Sequence, residues 1–189
     1  MDGAGKGAKM TKMTKKERIE PMISAAEIEN RVSEMADQIN RDYAGKEILL
    51  LGTMKGAYIF MADLSRKLTL PTEIDHLKVS SYGDSTSPIS QVAFDHRPTT
   101  DLSGKHVILV EDIVDTGHTL AYLRRYLEDK NLASLSVCAL LDKPSRREAE
   151  LPDSEYIGFA IPDKFVVGYG LDYAQRYRNL PYVGEVVFE

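Results

Sequence analysis

The 189-residue sequence has no tryptophan and only one cysteine, Cys138. A lone cysteine cannot form a disulfide within the chain, and its place inside the apolar run 135–141 predicts a buried strand residue. No apolar stretch approaches the roughly 20 residues that a membrane-spanning helix needs, so we expect no membrane partner. None of the four histidines has a metal-ligand partner at useful spacing, which argues against a histidine-bound metal.

The net charge of −5 is unevenly distributed along the chain. Residues 1–18 carry six basic and two acidic residues, a local +4, which leaves −9 on the remainder. An acidic body argues against a nucleic-acid partner, which would require a basic face. It also means that a polyanionic substrate must be held by metal ions, backbone N–H groups and a few well-placed cations.

The first 20 residues are rich in glycine, lysine and methionine and contain no apolar core. This composition is typical of neither a signal peptide nor a folded element. The segment is a tag remnant, a region before an alternative start at Met10 or Met13, or a basic arm, and we predict disorder over 1–20. The remaining residues, 21–189, have the length and composition of a single domain.

Strand and helix patterns alternate along this domain. Ser24 and Glu27 form a capping-box pattern, which predicts a helix with one apolar stripe at positions 28, 32, 35 and 39. Short apolar runs that predict strands follow at 47–52, 74–82, 107–110 and 135–142, with further short strands at 165–170 and 185–188. Runs of this kind are typical of strands buried on both faces, as in a parallel sheet, so we predict an α/β fold.

The rest of the chain is organised around residues 105–120, KHVILVEDIVDTGHTL. A buried strand is followed by the acids Glu111, Asp112 and Asp115, then by small residues, and then by a helical pattern. The free N–H groups of a helix's first turn form an anion site when a strand and a small-residue turn precede it. The alternative is an ordinary connection in which Asp115 or Thr116 caps the helix.

The adjacent acids favour a binding site at this turn. Two neighbouring carboxylates at the carboxyl end of a buried strand repel each other, and they lie where open α/β sheets bind ligands. They require a cation or several hydroxyl donors there. Phosphate at the turn and a diol or Mg²⁺ at the acids together indicate a sugar phosphate. A long polar connection, 84–103, is either disordered or a lid over such a site.

Four blocks of this sequence, in order, resemble the hypoxanthine-guanine branch of the purine phosphoribosyltransferases. They are SSYG at 80–83, VEDIVDTGHTL at 110–120, LLDKPSRRE at 140–148 and FVVGYGLDYAQRYRNLPY at 165–182. The resemblance implies a type I phosphoribosyltransferase fold: a mainly parallel sheet flanked by helices, with a small hood built from the N- and C-terminal segments. It also implies purine salvage in the cytoplasm by a homodimer or homotetramer. The reaction would be Mg²⁺-dependent transfer of phosphoribose from phosphoribosyl pyrophosphate (PRPP) to a 6-oxopurine, giving IMP or GMP and pyrophosphate.

The resemblance assigns the PRPP-binding residues. Asp115 would be the catalytic base at purine N7, and Glu111 and Asp112 would hold the ribose hydroxyls directly or through Mg²⁺, which Asp172 would also contact. The 5-phosphate would lie on the turn. Pyrophosphate would meet a loop that often carries a cis peptide, here Met54–Lys55. The assigned phosphate contacts are Thr116, Gly117, His118 and Thr119 at the turn, with His118 exposed, and Lys55, Gly56 and Arg178 at the pyrophosphate.

The purine and lid contacts follow in the same way from the resemblance. Lys143 would donate to the 6-oxo group, whereas Phe165 would stack on the ring, and backbone atoms of Val166 and Asp172 would read the base edge. Ser81 and Tyr82 would cover the substrate from a flexible lid at about 83–103. Without the resemblance, Lys55 and Lys143 would be interpreted as solvated turn lysines, Phe165 as core, and Asp172 with Arg178 as a surface ion pair.

Two other classes of function share parts of this pattern. A PRPP-sensing regulator would carry a DNA-binding module or a basic RNA-binding face, and neither is visible in the sequence. A pyrimidine or adenine phosphoribosyltransferase would share the PRPP motif but not LLDKPSRRE and FVVGYGLDY. A bare α/β binding domain would leave the acidic pair unexplained. The preference among hypoxanthine, guanine and xanthine stays open.

Overall fold

Six strands form the central sheet in the order β4-β3-β2-β5-β6-β7, and three form a smaller sheet in the order β1-β9-β8. The computed structural model of the protein describes residues 17–82, 91–152 and 154–188. The helices are α1 Ala25–Asp42, α2 Tyr58–Lys67 and α3 His118–Glu128, with a 3-10 turn at Pro144–Arg146. The strands are β1 Glu17–Ile23, β2 Ile48–Thr53, β3 Thr72–Tyr82, β4 Gln91–His96, β5 His106–Val114, β6 Ser134–Asp142, β7 Tyr156–Ala160, β8 Val166–Val167 and β9 Val183–Phe188.

The order of the central sheet creates a switch point between β2 and β5. From β2 the chain moves outward to β3, whereas from β5 it moves outward in the other direction to β6 and β7. All pairs are parallel except β3 with the edge strand β4. Loops that leave two neighbouring parallel strands in opposite directions leave a crevice between them, and α/β sheets bind ligands there. The prediction of a mainly parallel sheet is confirmed.

Both faces of the central sheet are covered. All six residues of β2 are buried, and Leu50 faces a cluster formed with α1 and α2, whereas Leu51 faces a cluster formed with α3. This explains why the predicted strands are continuous apolar runs without alternation. Cys138, on β6, is buried in the first cluster, as predicted. No described helix is long and apolar enough to cross a membrane.

Helix α1 begins where the capping box predicts. The Ser24 hydroxyl accepts from the Glu27 N–H, and the Glu27 carboxylate accepts from the Ser24 N–H at 2.8 Å. Reciprocal bonds of this kind satisfy two of the free N–H groups in the first turn. The predicted apolar stripe is buried against the sheet.

The smaller sheet joins the two ends of the described chain. Strand β1 pairs antiparallel with β9 from Glu17 opposite Phe188 to Ile23 opposite Val183, and β9 also pairs with β8. This is the hood that the resemblance implies. The prediction of disorder over 1–20 is wrong for residues 17–20, because they are four of the seven residues of β1, and residues 1–16 lie outside the described residues. The pairing partner is distant in sequence, so local composition did not indicate it.

Part of the predicted lid forms a strand. Strand β4 pairs antiparallel with the end of β3, which extends five residues beyond its last partner on β2, Leu77 opposite Thr53. Residues 83–90 lie outside the described residues, so the flexibility of the lid stays a prediction. Strand β7 was not predicted, and the predicted strand 165–170 is limited to Val166–Val167.

Asp75 on β3 anchors the segment that follows β4. Its buried carboxylate accepts from the backbone N–H groups of His76 at 2.7 Å, Thr99 at 2.8 Å and Thr100 at 2.9 Å. Burial alone would raise the pKa of this carboxyl, but these donors outweigh it and lower the pKa from 3.8 to about 2. The charged form therefore stabilises the fold.

We expect Asp75→Asn to lower the free energy of unfolding at pH 7 by about 2 kcal/mol, the value of nearly two pKa units. Because the folded pKa lies below the unfolded one, this contribution is complete above pH 4 and is lost as the pH falls toward 2. Urea titrations at several pH values should show the gap between wild type and variant closing over that range. Asp37→Asn, at an exposed position of α1, is the control. A gap that stays constant down to pH 2 would contradict this account.

Candidate active site

The candidate site lies at the switch point, where β2 and β5 end. A cavity of about 260 Å³ opens there, lined by residues of the turn and of the acidic pair. The strand, the turn and the first residues of α3 thus form one concave surface, as the sequence predicted. The lining residues are Glu111, Asp112, Ile113, Val114, Asp115, Thr116, Gly117, Thr119 and Leu120.

The turn leaves the first turn of α3 open. Gly117 is the N-cap, with φ of +88°, and no side chain among the described residues caps the helix. The alternative that Asp115 or Thr116 caps the helix is therefore wrong. The N–H groups of the first turn remain available to an anion. His118 is exposed as predicted, and its Nε2 lies 3.0 Å from the carboxylate of Glu148.

The segment after β6 supports this turn. Arg147 donates from Nη1 to the carbonyl of Asp115 at 2.9 Å, and its Nη2 contacts the carboxylate of Asp142. The N–H groups of Glu148 and Ala149 donate to the carbonyl of Thr116 at 3.0 and 3.1 Å. This support of the turn was not predicted. A signal for it was present, because Arg147 and Glu148 belong to the LLDKPSRRE block.

Glu111 lies behind the site with its carboxyl group buried. Burial and the neighbouring Asp112 charge raise the pKa of Glu111 to about 8, against a smaller opposite effect of the Thr53 hydroxyl. That hydroxyl lies 2.5 Å from Glu111 Oε2 and 3.0 Å from the Val110 carbonyl, two acceptors for one proton. A protonated Glu111 resolves the shortage, because it donates to Thr53, which then donates to Val110. Glu111 Oε1 has no hydrogen-bond partner among the described residues.

Asp112 is the more accessible acid of the pair. Burial raises its pKa to about 6, and although the positive charge of nearby Arg178 lowers the pKa, the negative charge of Asp172 raises it further. The carboxylates of Asp112 and Asp172 are hard oxygen donors of the kind that Mg²⁺ prefers, whereas the unpartnered Oε1 of Glu111 is buried. The described residues contain no cluster of three or more metal-ligating side chains. Mg²⁺ commonly uses only one or two carboxylates together with substrate phosphates, so the donor set fits this ion.

Two glycines bring three segments together beside Asp112. The peptide bond before Lys55 is cis, as the resemblance implies. A Cβ on Gly56 would lie 1.6 Å from Asp112 Oδ2, and a Cβ on Gly170 would lie 2.1 Å from the carbonyl oxygen of Gly56. Only glycine permits these approaches. Lys55 is exposed and forms no ion pair among the described residues, so its ammonium is available to a ligand.

Arg178 and Asp172 also meet at this point. The Arg178 Nη2 lies 2.7 Å from Asp172 Oδ1, and its Nη1 donates to the Gly170 carbonyl at 2.6 Å. The Gly170 N–H donates back to the Arg178 carbonyl at 3.0 Å. The ion pair considered as the alternative interpretation exists, but it is partly buried and lies close to Asp112. Asp172 and Arg178 therefore form the ion pair and also lie beside Asp112, where the resemblance places their contacts with Mg²⁺ and pyrophosphate.

A chain of four charged groups runs along the other side of the turn. The Lys143 ammonium is buried and lies 3.5 Å from Asp163, and Arg146 lies 3.8 Å from Asp163 and 3.2 Å from Asp115. The carboxylate of Asp115, the predicted base, is thus paired with a cation. Asp163 and the pairing of Arg146 were not predicted: Arg146 lies in the LLDKPSRRE block, but its carboxylate partners lie on separate loops and leave no local pattern.

The remaining predicted residues surround this chain. Phe165, two residues after Asp163, is half exposed and meets the Tyr173 ring edge to face at 5.6 Å. Val166 is buried on β8. Ser81 and Tyr82 end β3, and their side chains lie outside the described residues. Asp112 therefore lies close to Gly56 and to the Arg178 pair, whereas Lys143 is linked through Asp163 and Arg146 to Asp115.

Comparisons with known proteins agree with this geometry. A family model described as the phosphoribosyl transferase domain matches residues 24–174. The chain is 49% identical over 174 residues to the hypoxanthine phosphoribosyltransferase of Salmonella typhimurium, covering 91% of this chain and 97% of that protein. It is 43% identical over 169 residues to the hypoxanthine-guanine phosphoribosyltransferase of Mycobacterium tuberculosis, covering 86% and 83%. A crystal structure of a Bacillus anthracis hypoxanthine-guanine phosphoribosyltransferase matches with a TM-score of 0.85 at 40% identity, covering 91% and 100%.

We expect Gly56→Ala to weaken the binding of pyrophosphate with Mg²⁺ at least 10-fold in isothermal calorimetry. The new methyl group would overlap the Asp112 carboxylate, so either that side chain or the loop must move. Gly45→Ala is the control for backbone strain alone, because Gly45 has a positive φ and open space around it, whereas Gly56 has no positive φ and its added methyl group would meet Asp112. The control should lower stability by about 1 kcal/mol and leave binding unchanged. Equal affinity in the Gly56 variant and the control would contradict the close approach.

Proposed function

The chain belongs to the hypoxanthine phosphoribosyltransferases of the phosphoribosyl transferase domain family, and we propose that it transfers the 5-phosphoribosyl group from PRPP to a 6-oxopurine in purine salvage. The observation that supports this most directly is the arrangement at the switch point. An open helix N-terminus and the acidic pair lie together there, with the exposed Lys55 next to Gly56, which contacts Asp112. The buried Lys143 is linked to Asp115 through Asp163 and Arg146, and Phe165 is half exposed. Phosphate, ribose, pyrophosphate and base each have a matching surface.

The transition state of this transfer resembles an oxocarbenium ion, because the bond from C1 to pyrophosphate breaks before the new bond is complete. Negative charge then develops on the leaving pyrophosphate. Lys55, Arg178 and the backbone N–H groups of Lys55 and Gly56 would stabilise that charge. The N–H groups of Thr116 to Thr119, with the two threonine hydroxyls, would hold the 5-phosphate and fix the ribose.

One or two of the carboxylates of Asp112, Asp172 and Glu111 would hold Mg²⁺ together with the substrate phosphates. The ion, when bound, neutralises charge on the pyrophosphate and orients it. Asp112 would accept from the ribose hydroxyls or contact the ion. Glu111 must first lose its proton, and a nearby divalent cation would lower its raised pKa. The buried acidic pair thereby becomes tolerable only when the substrate and its cation are present.

Asp115 would accept the proton from purine N7. A free aspartate has a pKa of about 3.9, far below that of the purine nitrogen, so transfer in the ground state is unfavourable. Asp115 would therefore hydrogen-bond the N–H first and take the proton late, as the ribosyl bond forms. Its present partner, Arg146, must move or share the carboxylate when the base enters.

Lys143 would select the base. Its ammonium is a donor only, so it favours a 6-oxo acceptor and disfavours the 6-amino group of adenine. Phe165 would stack on the purine ring, for which its half-exposed face is available. Backbone atoms near Val166 and Asp172 would read position 2, where hypoxanthine, guanine and xanthine differ.

Ser81 and Tyr82, with residues 83–103, would close over the bound substrates. An electron-poor ribosyl carbon must be kept from water, or hydrolysis competes with transfer. The extension of β3 beyond the rest of the sheet supports this proposal. We also propose a cytoplasmic location and a homodimer or homotetramer, as in the family; light scattering of the purified protein would test the assembly.

Initial rates with PRPP and Mg²⁺ should be measured against hypoxanthine, guanine, xanthine, adenine and uracil in parallel. We expect pyrophosphate release with hypoxanthine or guanine. None is expected with adenine, since Lys143 requires an acceptor at position 6, and none with uracil, which lacks the purine N7 at which Asp115 would act. Omitting Mg²⁺ should abolish the release. Tight PRPP binding without turnover on any base would replace this proposal with a regulatory role.

Asp115→Asn should lower kcat for hypoxanthine by about 10²-fold or more, the usual contribution of a general base. The amide keeps the size of the side chain, so the affinity for PRPP, measured by calorimetry, should change less than 3-fold. Asp129→Asn, at the exposed end of α3, is the control and should behave like wild type. Normal turnover in the Asp115 variant would remove this residue from its proposed role.

A further inference from the structure

The chain reverses sharply at residues 168–171. Gly168 and Leu171 exchange backbone hydrogen bonds of 3.0 and 3.1 Å, and the two residues between them, Tyr169 and Gly170, both have positive φ. This is the pattern of a type I′ turn, whose first central residue is normally asparagine, aspartate or glycine. A tyrosine at that position is disfavoured by its own backbone conformation, so its side chain needs a compensating interaction.

The compensating interaction is with helix α2. The Tyr169 ring is buried, and its hydroxyl donates to Asp63 Oδ2 at 2.5 Å. Asp63 is also paired through its other oxygen with Arg66, one helical turn away. Helix α2 begins directly after the loop that carries Lys55. The hydrogen bond therefore ties the turn to the element that follows the proposed pyrophosphate loop.

The next residue of the turn touches that loop itself. The Cα of Gly170 faces the carbonyl of Gly56 so closely that a Cβ would lie 2.1 Å from it. The backbone of Gly170 also exchanges hydrogen bonds with Arg178. One turn thus sets the position of Arg178 relative to Lys55, the two cations proposed for pyrophosphate.

We propose that Tyr169 is a positioning residue for pyrophosphate, acting through its hydrogen bond to Asp63, and this inference rests on the proposed function. Tyr169 is not among the proposed substrate contacts. The cavity of about 520 Å³ that Tyr169 and Asp63 line contains none of the proposed substrate-binding side chains. The Tyr169–Asp63 hydrogen bond holds the 168–171 turn against the 53–57 loop, so that Lys55 and Arg178 can contact the same pyrophosphate. Positioning errors of this kind reduce binding of the leaving group more than binding of the base.

Tyr169→Phe should raise KM for PRPP, and for pyrophosphate in the reverse reaction, by about 10-fold, which corresponds to about 1.4 kcal/mol. KM for hypoxanthine should stay within about 2-fold of wild type, because Lys143 and Phe165 are not held by this bond. A purely structural effect would not separate the two substrates. Adding Asp63→Ala should give no further increase, whereas Arg66→Ala alone should leave KM for PRPP near wild type.

Tyr156→Phe is a matched control. Tyr156 is a buried tyrosine on β7 whose hydroxyl donates to Asp42 on α1 at 2.9 Å. Its removal should lower the melting temperature about as much as Tyr169→Phe and leave both KM values unchanged. Equal KM for PRPP in Tyr169→Phe and Tyr156→Phe would overturn the inference and leave the Tyr169 bond a stability contact only.

The inference and the proposed function fail in different ways. Absence of turnover by wild type on every base overturns the proposed function. Calorimetry with pyrophosphate and Mg²⁺ on wild type and Tyr169→Phe then still decides the positioning role, with a 10-fold loss of affinity expected and equal affinity contradicting it. Turnover by wild type with an unchanged Tyr169→Phe overturns the inference alone.

Discussion

The contact of three backbone segments beside Asp112 is the constraint on which the site depends. The end of β5, the loop after β2 and the turn before Arg178 approach so closely that neither Gly56 nor Gly170 has room for a side chain. Each segment comes from a different part of the chain, and each supplies a charged group. The central sheet brings the first two together, whereas the hood and α2 position the third. A side chain added at Gly56 or Gly170 would push these segments apart and so separate their charged groups, although no charged residue would be changed.

A few cations held at the site explain how an acidic chain could bind a polyanionic substrate. Lys55 is exposed and free of ion pairs among the described residues, whereas Arg178 and Lys143 are held by carboxylates near the site. The raised pKa values of Glu111 and Asp112 show that the acids are held where their charge is unfavourable. Such a site gains most from a ligand that brings hydroxyl donors and a divalent cation with it. Substrate binding and charge compensation are then the same event.

Much of this arrangement was predictable from sequence, because the strongest signals are local. The apolar runs predicted the inner strands, the Ser24 capping box predicted α1, and the acids with the glycine turn predicted the cavity at β5. The resemblance added Lys143, Asp172 and Arg178, which local patterns would leave on the surface. Strand β1 was missed because its partner β9 lies at the other end of the chain. The Asp163 and Arg146 pairs were missed because they join separate loops.

The pairing of β1 with β9 also bears on how the molecule assembles. It closes a loop of nearly the whole described chain, and closing so long a loop has an entropic cost that only a folded central sheet reduces. Loop-closure entropy therefore favours pairing of the hood strands after the central sheet has formed. Strand β8, which contains Val166 and follows Phe165, pairs with β9. The wall proposed for the base thus depends on a pairing between the two ends of the described chain, whereas the turn proposed for the phosphate joins β5 and α3, which are adjacent in sequence.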